Sequence, residues 1–491
     1  MAGDNNVFLE YHEPDIISIL TLISFFLFLG ISEWLADKVL RAGLIGQIIV
    51  GLIYGVPIAN ILAVGWQETF LALGYIGLIL IIFEGGLTIR LDLLRQNFIL
   101  SVVAALLGVL TPIAFSFALL YAGFGHAPLE AFILGTALCS TSLGTTFVVI
   151  NSASSQGRDY SQTRIGTVLI SAAVLDDVCG LVLVSVIHQL RGIADGEGLG
   201  WIIGRPILAS GLLAIFTPLV AKFIAGPAFR KLLEPRLQKI NRHRVNLVVM
   251  VLIICAFLAI AAYAGASVLF GAFLAGAFVS SLRKTNDATD EESLEFIDTF
   301  NKYLGGAQKY ILQPFFFASI GFAIPFLDLW TGEVIWKGIV YTLLMVVGKL
   351  IVGVTVPIWD LISTKRHQSD ETGSSTRDAL KSSWAPAALL GTAMVARGEI
   401  GLLIIQIGLN ETPYLTQKAF VIGVWAIVLN TIIGPVSVGF LLKQVGPRIL
   451  DDKQWGVQAK VQESDVELSE VTQGEVGHSE EPTRGRNAGG P

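Results

Sequence analysis

The stretch SAAVLDDVCGLVLV, Ser171 to Val184, sets two carboxylates, Asp176 and Asp177, side by side in an apolar run that extends from Thr167 to Ile187. Each apolar half is only about ten residues long, whereas a bilayer core needs roughly 20 apolar residues per helical span. The run therefore reads as one membrane-spanning helix with both acids near its middle. A loop between two short helices, or a cap inside a soluble core, fits it less well. A carboxylate at mid-bilayer is costly unless it is paired, hydrated or protonated, so both acids are functional candidates. Adjacent residues on a helix point about 100° apart. One acid can thus face a protein partner while the other faces a water-filled cavity. A carboxylate that titrates near neutrality holds either a proton or a cation, which is the chemistry of an exchanger.

The rest of the chain agrees with a membrane reading. Of its 491 residues, 53% are hydrophobic and 15% are charged, against about 25% charged in soluble domains. The mean hydropathy is +0.68. Charged residues cluster in short loops between long apolar runs, the pattern of an all-α polytopic membrane protein. About thirteen candidate spans follow from the length a bilayer requires. They lie near residues 15–36, 43–62, 69–89, 98–122, 128–150, 163–190, 201–226, 245–263, 266–282, 303–325, 334–358, 384–409 and 417–443. The 245–282 region reads either as a pair with a tight Ala-Gly-Ala turn at 264–266 or as a single disrupted element. Cys139, Cys179 and Cys255 sit inside apolar runs without metal spacing and read as small buried hydrophobes. The first apolar run is long enough to remain as a span, so no cleavable signal peptide is expected. Nothing points to a cofactor or to nucleic-acid binding.

An odd span count puts the termini on opposite sides, and the basic residues decide which. The odd-numbered loops carry Lys38 and Arg41, Arg90 and Arg95, Arg158 and Arg164, and the run FRKLLEPRLQKINRHR at 229–244. They continue with Arg283 and Lys284, then Lys365, Arg366, Arg377 and Lys381. The even loops carry little beyond Arg191, Arg205, Lys337 and Lys418. The positive-inside rule makes the odd loops cytoplasmic, with the N-terminus outside and the C-terminus inside. Residues 1–14 then form an extracellular segment, 15–443 a transmembrane domain and 444–491 an acidic cytoplasmic tail. From about Asp451 the tail lacks the apolar content to order itself and reads as disordered. It is too short for a nucleotide-binding domain.

A cation exists to match the acids. Lys349 lies inside span eleven, YTLLMVVGKLIVGVTVPIW, roughly 13 Å from the nearer end at 1.5 Å per residue. That is beyond the reach of a snorkelling stem, so Lys349 reads as a buried ammonium paired with one aspartate of span six. Two further spans carry polar, glycine-bearing breaks. Span five contains ALCSTSLGTTFVVI, with Ser140, Thr141, Ser142, Thr145, Thr146 and Ser152 in or just after it and Gly144 among them. Span twelve contains LLGTAMVARGEIGLLI, with Gly391, Gly398, Gly401, Arg397 and Glu399. Arg397 and Glu399, at i,i+2, would not face each other on a regular helix. Irregular backbone at that depth is tolerated only inside protein or against a cavity, where half-helix ends can serve an ion. Spans 2–6 and 9–13 form two five-helix units of opposite topology, each with its break in the fourth span. This is an inverted-repeat layout. Glu33, Glu84, His126, His188 and His243 fall at span ends or in loops and rank below these residues.

The Asp176–Asp177 pair, STSLG (140–144), Lys349 in GKLIVG and ARGEIGLL (396–403) together resemble the cation:proton antiporter superfamily. They are most similar to its electrogenic, double-aspartate branch of sodium/proton antiporters. LFGAFLAGAFV (269–279) and FFFASIGFAI (315–324) resemble further segments of that family, and the resemblance covers about residues 15–443. It implies two crossing discontinuous helices, a mobile core domain and a dimerisation domain, and a homodimer in the lipid bilayer. It implies that Asp177 carries the transported Na+ or Li+ and the proton, and that Asp176 pairs with Lys349. Thr141, Ser142 and Glu399 would help line the site, with Arg397 supporting Glu399. The electroneutral branch carries Asn before the aspartate, so Asp176 together with Lys349 favours electrogenic exchange. K+ in exchange for H+ remains open as an alternative cargo. A cation channel would need a ring of carbonyls or charges as a filter, and none is repeated here. An intramembrane aspartyl protease would draw its two acids from different helices.

Overall fold

The computed structural model describes residues 11, 13–89, 97–142, 160, 163–193, 198–229, 231, 242–282, 296–367, 376–450, 452 and 454–456. Gly144, Thr145, Thr146 and Ser152, the basic residues Arg90, Arg95, Arg158, Arg230, Arg236, Lys239, Arg283 and Lys284, residues 1–10 and residues 457–491 lie outside the described residues.

The described chain is helical. In order it forms α1 (Ile16–Leu40), α2 (Gly43–Tyr54), α3 (Val64–Leu87), α4 (Phe98–Ser116), α5 (Pro128–Ala137), α6 (Arg164–Gln189), α7 (Leu199–Val220) and α8 (Arg242–Ala264). There follow α9 (Val268–Leu282), α10 (Gln313–Phe322), α11 (Gly332–Leu350), α12 (Thr355–His367), α13 (Thr376–Ala393), α14 (Glu399–Glu411) and α15 (Gln417–Leu450). Eight helices among the described residues are long and apolar enough to cross a bilayer: α1, α3, α4, α6, α7, α8, α15 and α11 with its continuation. The remaining five of the thirteen expected stretches are built from shorter or interrupted helix among the described residues. Each of the thirteen stretches carries helix, but α2, α5 and α9 are short. The stretch at 303–325 is π turns leading into α10, and the stretch at 384–409 is split into α13 and α14. The 245–282 region is a pair, α8 and α9, turned at Gly265 with φ of 84°. Glycine enters that left-handed region without a Cβ penalty.

Apolar surface faces outward as well as inward. On α1, Ile16, Ile17, Leu20, Ile23 and Leu27 are all exposed. A soluble protein does not present such a continuous face to water, whereas lipid accepts it as long as the backbone is satisfied within the helix.

The helices pack in two groups. In the first, α1, α2, α3, α8, α9 and α10 pack on one another. Without a hydrophobic drive between helices in lipid, small residues that allow close approach hold such a group together. At the α3–α9 contact, a Cβ on Gly86 would lie 2.1 Å from the Phe273 carbonyl oxygen, and one on Gly276 would lie 2.1 Å from that of Phe83. An aromatic stack adds to this: Phe70 lies 4.3 Å from Phe315 and 5.4 Å from Phe25, ring centre to ring centre. In the second group, α4, α5, α6, α11, α13, α14 and α15 surround the acids and Lys349.

Two features at the C-terminal side differ from the sequence reading. Helix α15 runs unbroken to Leu450, so the division at 443/444 falls within a helix. Residues 452 and 454–456, past Asp451, are also packed on the helices, because Trp455 supplies a large apolar ring that is 0% exposed and an indole N–H that finds a carboxylate partner.

Gly276→Ala sets a methyl group against the Phe83 carbonyl, where no flexible side chain can yield. Overpacking of this kind costs about 1–3 kcal/mol. The variant is expected to melt several degrees lower than the parent in detergent; an unchanged melting temperature would show that α3 and α9 do not need this close approach.

Candidate ion-binding site

Helix α6 begins at a Thr163 cap, whose hydroxyl accepts the Gly166 N–H at 3.0 Å, and runs without a break past both aspartates. Its regularity keeps Asp176 and Asp177 on different faces, and their surroundings diverge. Asp176 is 0% exposed and Asp177 is half-buried.

Asp176 is tied into a compact polar knot. Lys349 Nζ, on the last turn of α11 and 0% exposed, donates to Asp176 Oδ2 at 2.8 Å and to Thr141 Oγ1 at 3.0 Å. Thr141 in turn donates to Asp176 Oδ2 at 2.6 Å. The ammonium thus points inward and does not snorkel. Room for the pair comes from Gly108 on α4, a residue that sequence reading missed. A Cβ there would lie 3.2 Å from Asp176 Oδ1 and 3.3 Å from Lys349 Nζ. Its only sequence signal was a lone glycine within an apolar span.

Asp177 has no such partner. No ion pair or hydrogen bond engages its side chain among the described residues, and its Oδ1 is buried without one. Glu399, half-buried at the start of α14, is close enough to act on its charge. The α14 N-terminus brings the positive end of a helix dipole to the same place.

The segment after α5 meets the break between α13 and α14. The Ser142 N–H donates to the Ala396 carbonyl at 3.0 Å, joining the segment after α5 to the segment between α13 and α14. Arg397 is 0% exposed and lies at the crossing. Its Nη1 donates to the carbonyls of Met394 at 3.0 Å and Ser140 at 3.2 Å. The Arg397 carbonyl lies 3.0 Å from Thr431 Oγ1 on α15, another residue not foreseen from sequence. Carbonyls freed by unwinding are thereby given donors, as a backbone inside a membrane requires. The structure redirects one sequence expectation: Arg397 reaches carbonyls at the C-terminal ends of α5 and α13, and no ion pair joins it to Glu399 among the described residues. The dipoles explain this, since a cation is favoured at helix C-termini.

A cavity of about 550 Å³ lies where the two helix groups face each other. Leu71 and Tyr75 of α3 and Phe316 and Ile320 of α10 line one side, with His188 of α6 and Glu411 of α14 on the other. His188 Nδ1 and Glu411 Oε2 are 2.9 Å apart. His126 is instead engaged by Glu130 at 3.0 Å, and His243 by Thr299 at 2.8 Å. Glu33 and Glu84 accept hydrogen bonds from Gln47 and Gln308, both at 2.8 Å, away from the acid pair.

Comparison with known proteins adds to this geometry. The chain matches the family described as "Sodium/hydrogen exchanger, transmembrane" over residues 16–444. It is 27% identical to a Na(+)/H(+) antiporter of Enterococcus hirae over 409 residues, covering 82% of this chain and 92% of that one. It is 26% identical to the Na(+)/H(+)-K(+) antiporter GerN of Bacillus cereus, covering 80% of this chain and 88% of the relative. Its fold is similar to that of the sodium proton antiporter MjNhaP1 from Methanocaldococcus jannaschii at pH 8, with a TM-score of 0.59, 17% identity, and coverage of 87% of this chain and 98% of that one.

Lys349→Ala would leave Asp176 buried without its cation. Breaking a buried pair on one side typically costs about 3–5 kcal/mol. A marked fall in melting temperature is expected, partly restored when Asp176→Asn is added to neutralise the stranded acid. If the single and double variants melt alike, the acid left at Asp176 is not what destabilises the Lys349→Ala protein.

Proposed function

The chain belongs to the sodium/hydrogen exchanger family, and we propose that it exchanges a monovalent cation, Na+ or Li+, for protons at one site centred on Asp177. The observation that carries this reading is the unequal state of the adjacent acids. Asp176 is sealed against Lys349, while Asp177 is half-buried and has no cation of its own. Of the two aspartates, Asp177 is therefore the one available to take a proton or a cargo ion in turn. Thr141, Ser142 and Glu399 are the neighbouring oxygen-bearing residues we assign to the ion's surroundings. Arg397 is assigned to holding the two breaks together.

The bare Asp177 carboxylate would be expensive to carry through the apolar barrier, whereas a loaded one is neutral. Movement of the second helix group against the first would then carry the site between the two sides only when it is occupied, by rocking of one bundle against the other. Competition at Asp177 alone exchanges one charge for one; electrogenic exchange takes a second proton, which we assign to the buried Asp176–Lys349 pair. The similarity to GerN supports a second reading in which K+ is also a cargo. We further propose that the chain works as a homodimer in the bilayer, with its basic loops and C-terminus in the cytoplasm and its N-terminus outside.

Two outcomes follow. Asp177→Asn is expected to abolish Na+-driven proton flux in liposomes while leaving the melting temperature within a few degrees of the parent, because an amide carries no proton and binds a cation weakly. Robust flux from that variant would remove Asp177 from the carrier role. Competition at one carboxylate also sets the sign of the pH effect. As pH falls, protons occupy the site and the apparent Michaelis constant for Na+ rises, by about tenfold per pH unit once the protonated form dominates. Measuring it between about pH 6 and 9 tests this; a constant that stays flat while only the maximal rate changes would mean that the two ions do not share the site.

A further inference from the structure

The first turn of α6, the helix that carries both aspartates, is capped from a distant part of the chain. The leading N–H groups of a helix have no acceptor within it. Thr163 serves Gly166, but the N–H groups of Arg164 and Ile165 donate to the carbonyls of Gly456 at 3.0 Å and Trp455 at 3.3 Å. These acceptors lie beyond the end of α15, and also beyond residue 444, where the family match stops.

Side chains repeat the connection. Trp455 is 0% exposed, its indole N–H donates to Asp360 Oδ2 at 2.9 Å, and its ring lies 4.9 Å from the Arg164 guanidinium. Gln454 Nε2 donates to Asp360 Oδ1 at 2.6 Å. Asp452 Oδ1 accepts the N–H groups of Gln454 and Trp455 at 2.8 and 2.9 Å, folding the segment into a turn. Asp360, 1% exposed on α12, also accepts a hydrogen bond from Ser383 on α13. Arg164 Nε is held by Asn97 Oδ1 at 3.2 Å, just before α4.

The elements that meet here are the ones that deliver the charges of the ion site. Helix α12 continues the helix of Lys349, α13 leads into the break with Arg397 and Glu399, and α6 bears the acids. The junction lies roughly 20 Å along α6 from Asp177, at 1.5 Å per residue. We propose that Asp452 and residues 454–456 form a clasp on the transport helices, and that Trp455 and Asp360 are positioning residues for ion exchange. With the clasp closed, α6, α12 and α13 are held at the spacing that the Asp176–Lys349 contact demands. With it open, the first turn of α6 loses two of its caps and the site relaxes. The proposal rests on the exchange reading and extends it to a segment outside the family match.

The test uses full-length Trp455→Ala, Trp455→Phe and Asp360→Asn proteins. Two readouts are compared: Na+-driven proton flux in liposomes, and hydrogen exchange of a peptide spanning residues 163–170. Trp455→Ala is expected to speed amide exchange in that peptide by up to about tenfold, the loss of one hydrogen bond's protection. It is also expected to raise the apparent Michaelis constant for Na+ about threefold or more, a shift of under a decade in affinity, with a smaller change in maximal rate per folded protein. Trp455→Phe keeps the ring against Arg164 and should fall between alanine and the parent. A folded Trp455→Ala protein with the parent's Michaelis constant would overturn the proposal. So would variants that lose only maximal rate in proportion to the folded protein recovered. If Trp455→Ala is not recovered folded, Trp455→Phe and Asp360→Asn decide by the same criteria. A parent protein without flux for any monovalent cation would instead sink the exchange reading, and unaltered amide protection in the variants would still sink the clasp.

Discussion

The structure depends on holding one unit of charge of each sign inside an apolar interior. Asp176 and Lys349, both 0% exposed, meet at 2.8 Å. Such a pair recovers its desolvation cost only when the geometry is good and the remaining polar atoms are served. Thr141 serves both partners at once, and Gly108 keeps the space that they occupy. The neighbouring helices are arranged around that need. Helix α4 must pass close, α11 must end its regular turn near Lys349, and α6 must stay unbroken so that the second acid looks elsewhere.

The same constraint explains the buried arginine. The end of α5 and the break between α13 and α14 free carbonyls that lipid cannot satisfy. Arg397 Nη1 reaches carbonyls of both segments from one position, and its charge faces the negative ends of α5 and α13. It also lies near enough to Asp176 and Asp177 to interact with their charge. The crossing can therefore be irregular without being loose, and irregular backbone is what gives an ion short-range oxygens.

Much of this was legible in the sequence because membrane burial makes charge conspicuous. Asp176, Asp177, Lys349, Arg397 and Glu399 stood out against apolar runs, and the structure brings their segments to one place. The all-helical membrane fold followed from the lengths of those runs. Other features carried no comparable signal. The short helices α2 and α9 have the composition of full spans, so only the structure shows where their chains turn. Gly108 matters for what it leaves out, and a missing Cβ stands out only when its neighbours are known. Thr431 is an ordinary membrane hydroxyl until it is found 3.0 Å from a freed carbonyl. Trp455 lies in a polar stretch whose average composition argued for disorder, and a single buried ring outweighs that average. Arg397 and Glu399 sit close in sequence, yet the helix start between them turns them to different tasks.

The inequality of the two acids is, in the end, a consequence of helix geometry. Two adjacent residues on a regular helix differ by about 100°, so a partner that satisfies one cannot also satisfy the other. Had the acids been three or four residues apart, they would have shared a face, and Lys349 could have neutralised either one. A shared counter-ion would compete with the cargo for the carrier. Adjacency keeps Lys349 committed to Asp176 and leaves Asp177 as the group whose charge must be met from outside. Under the proposed exchange, the outside partner is Na+ or H+, and each excludes the other because both neutralise the same carboxylate. The pair anchors α6 to α11, and the acid beside it has no ion pair among the described residues.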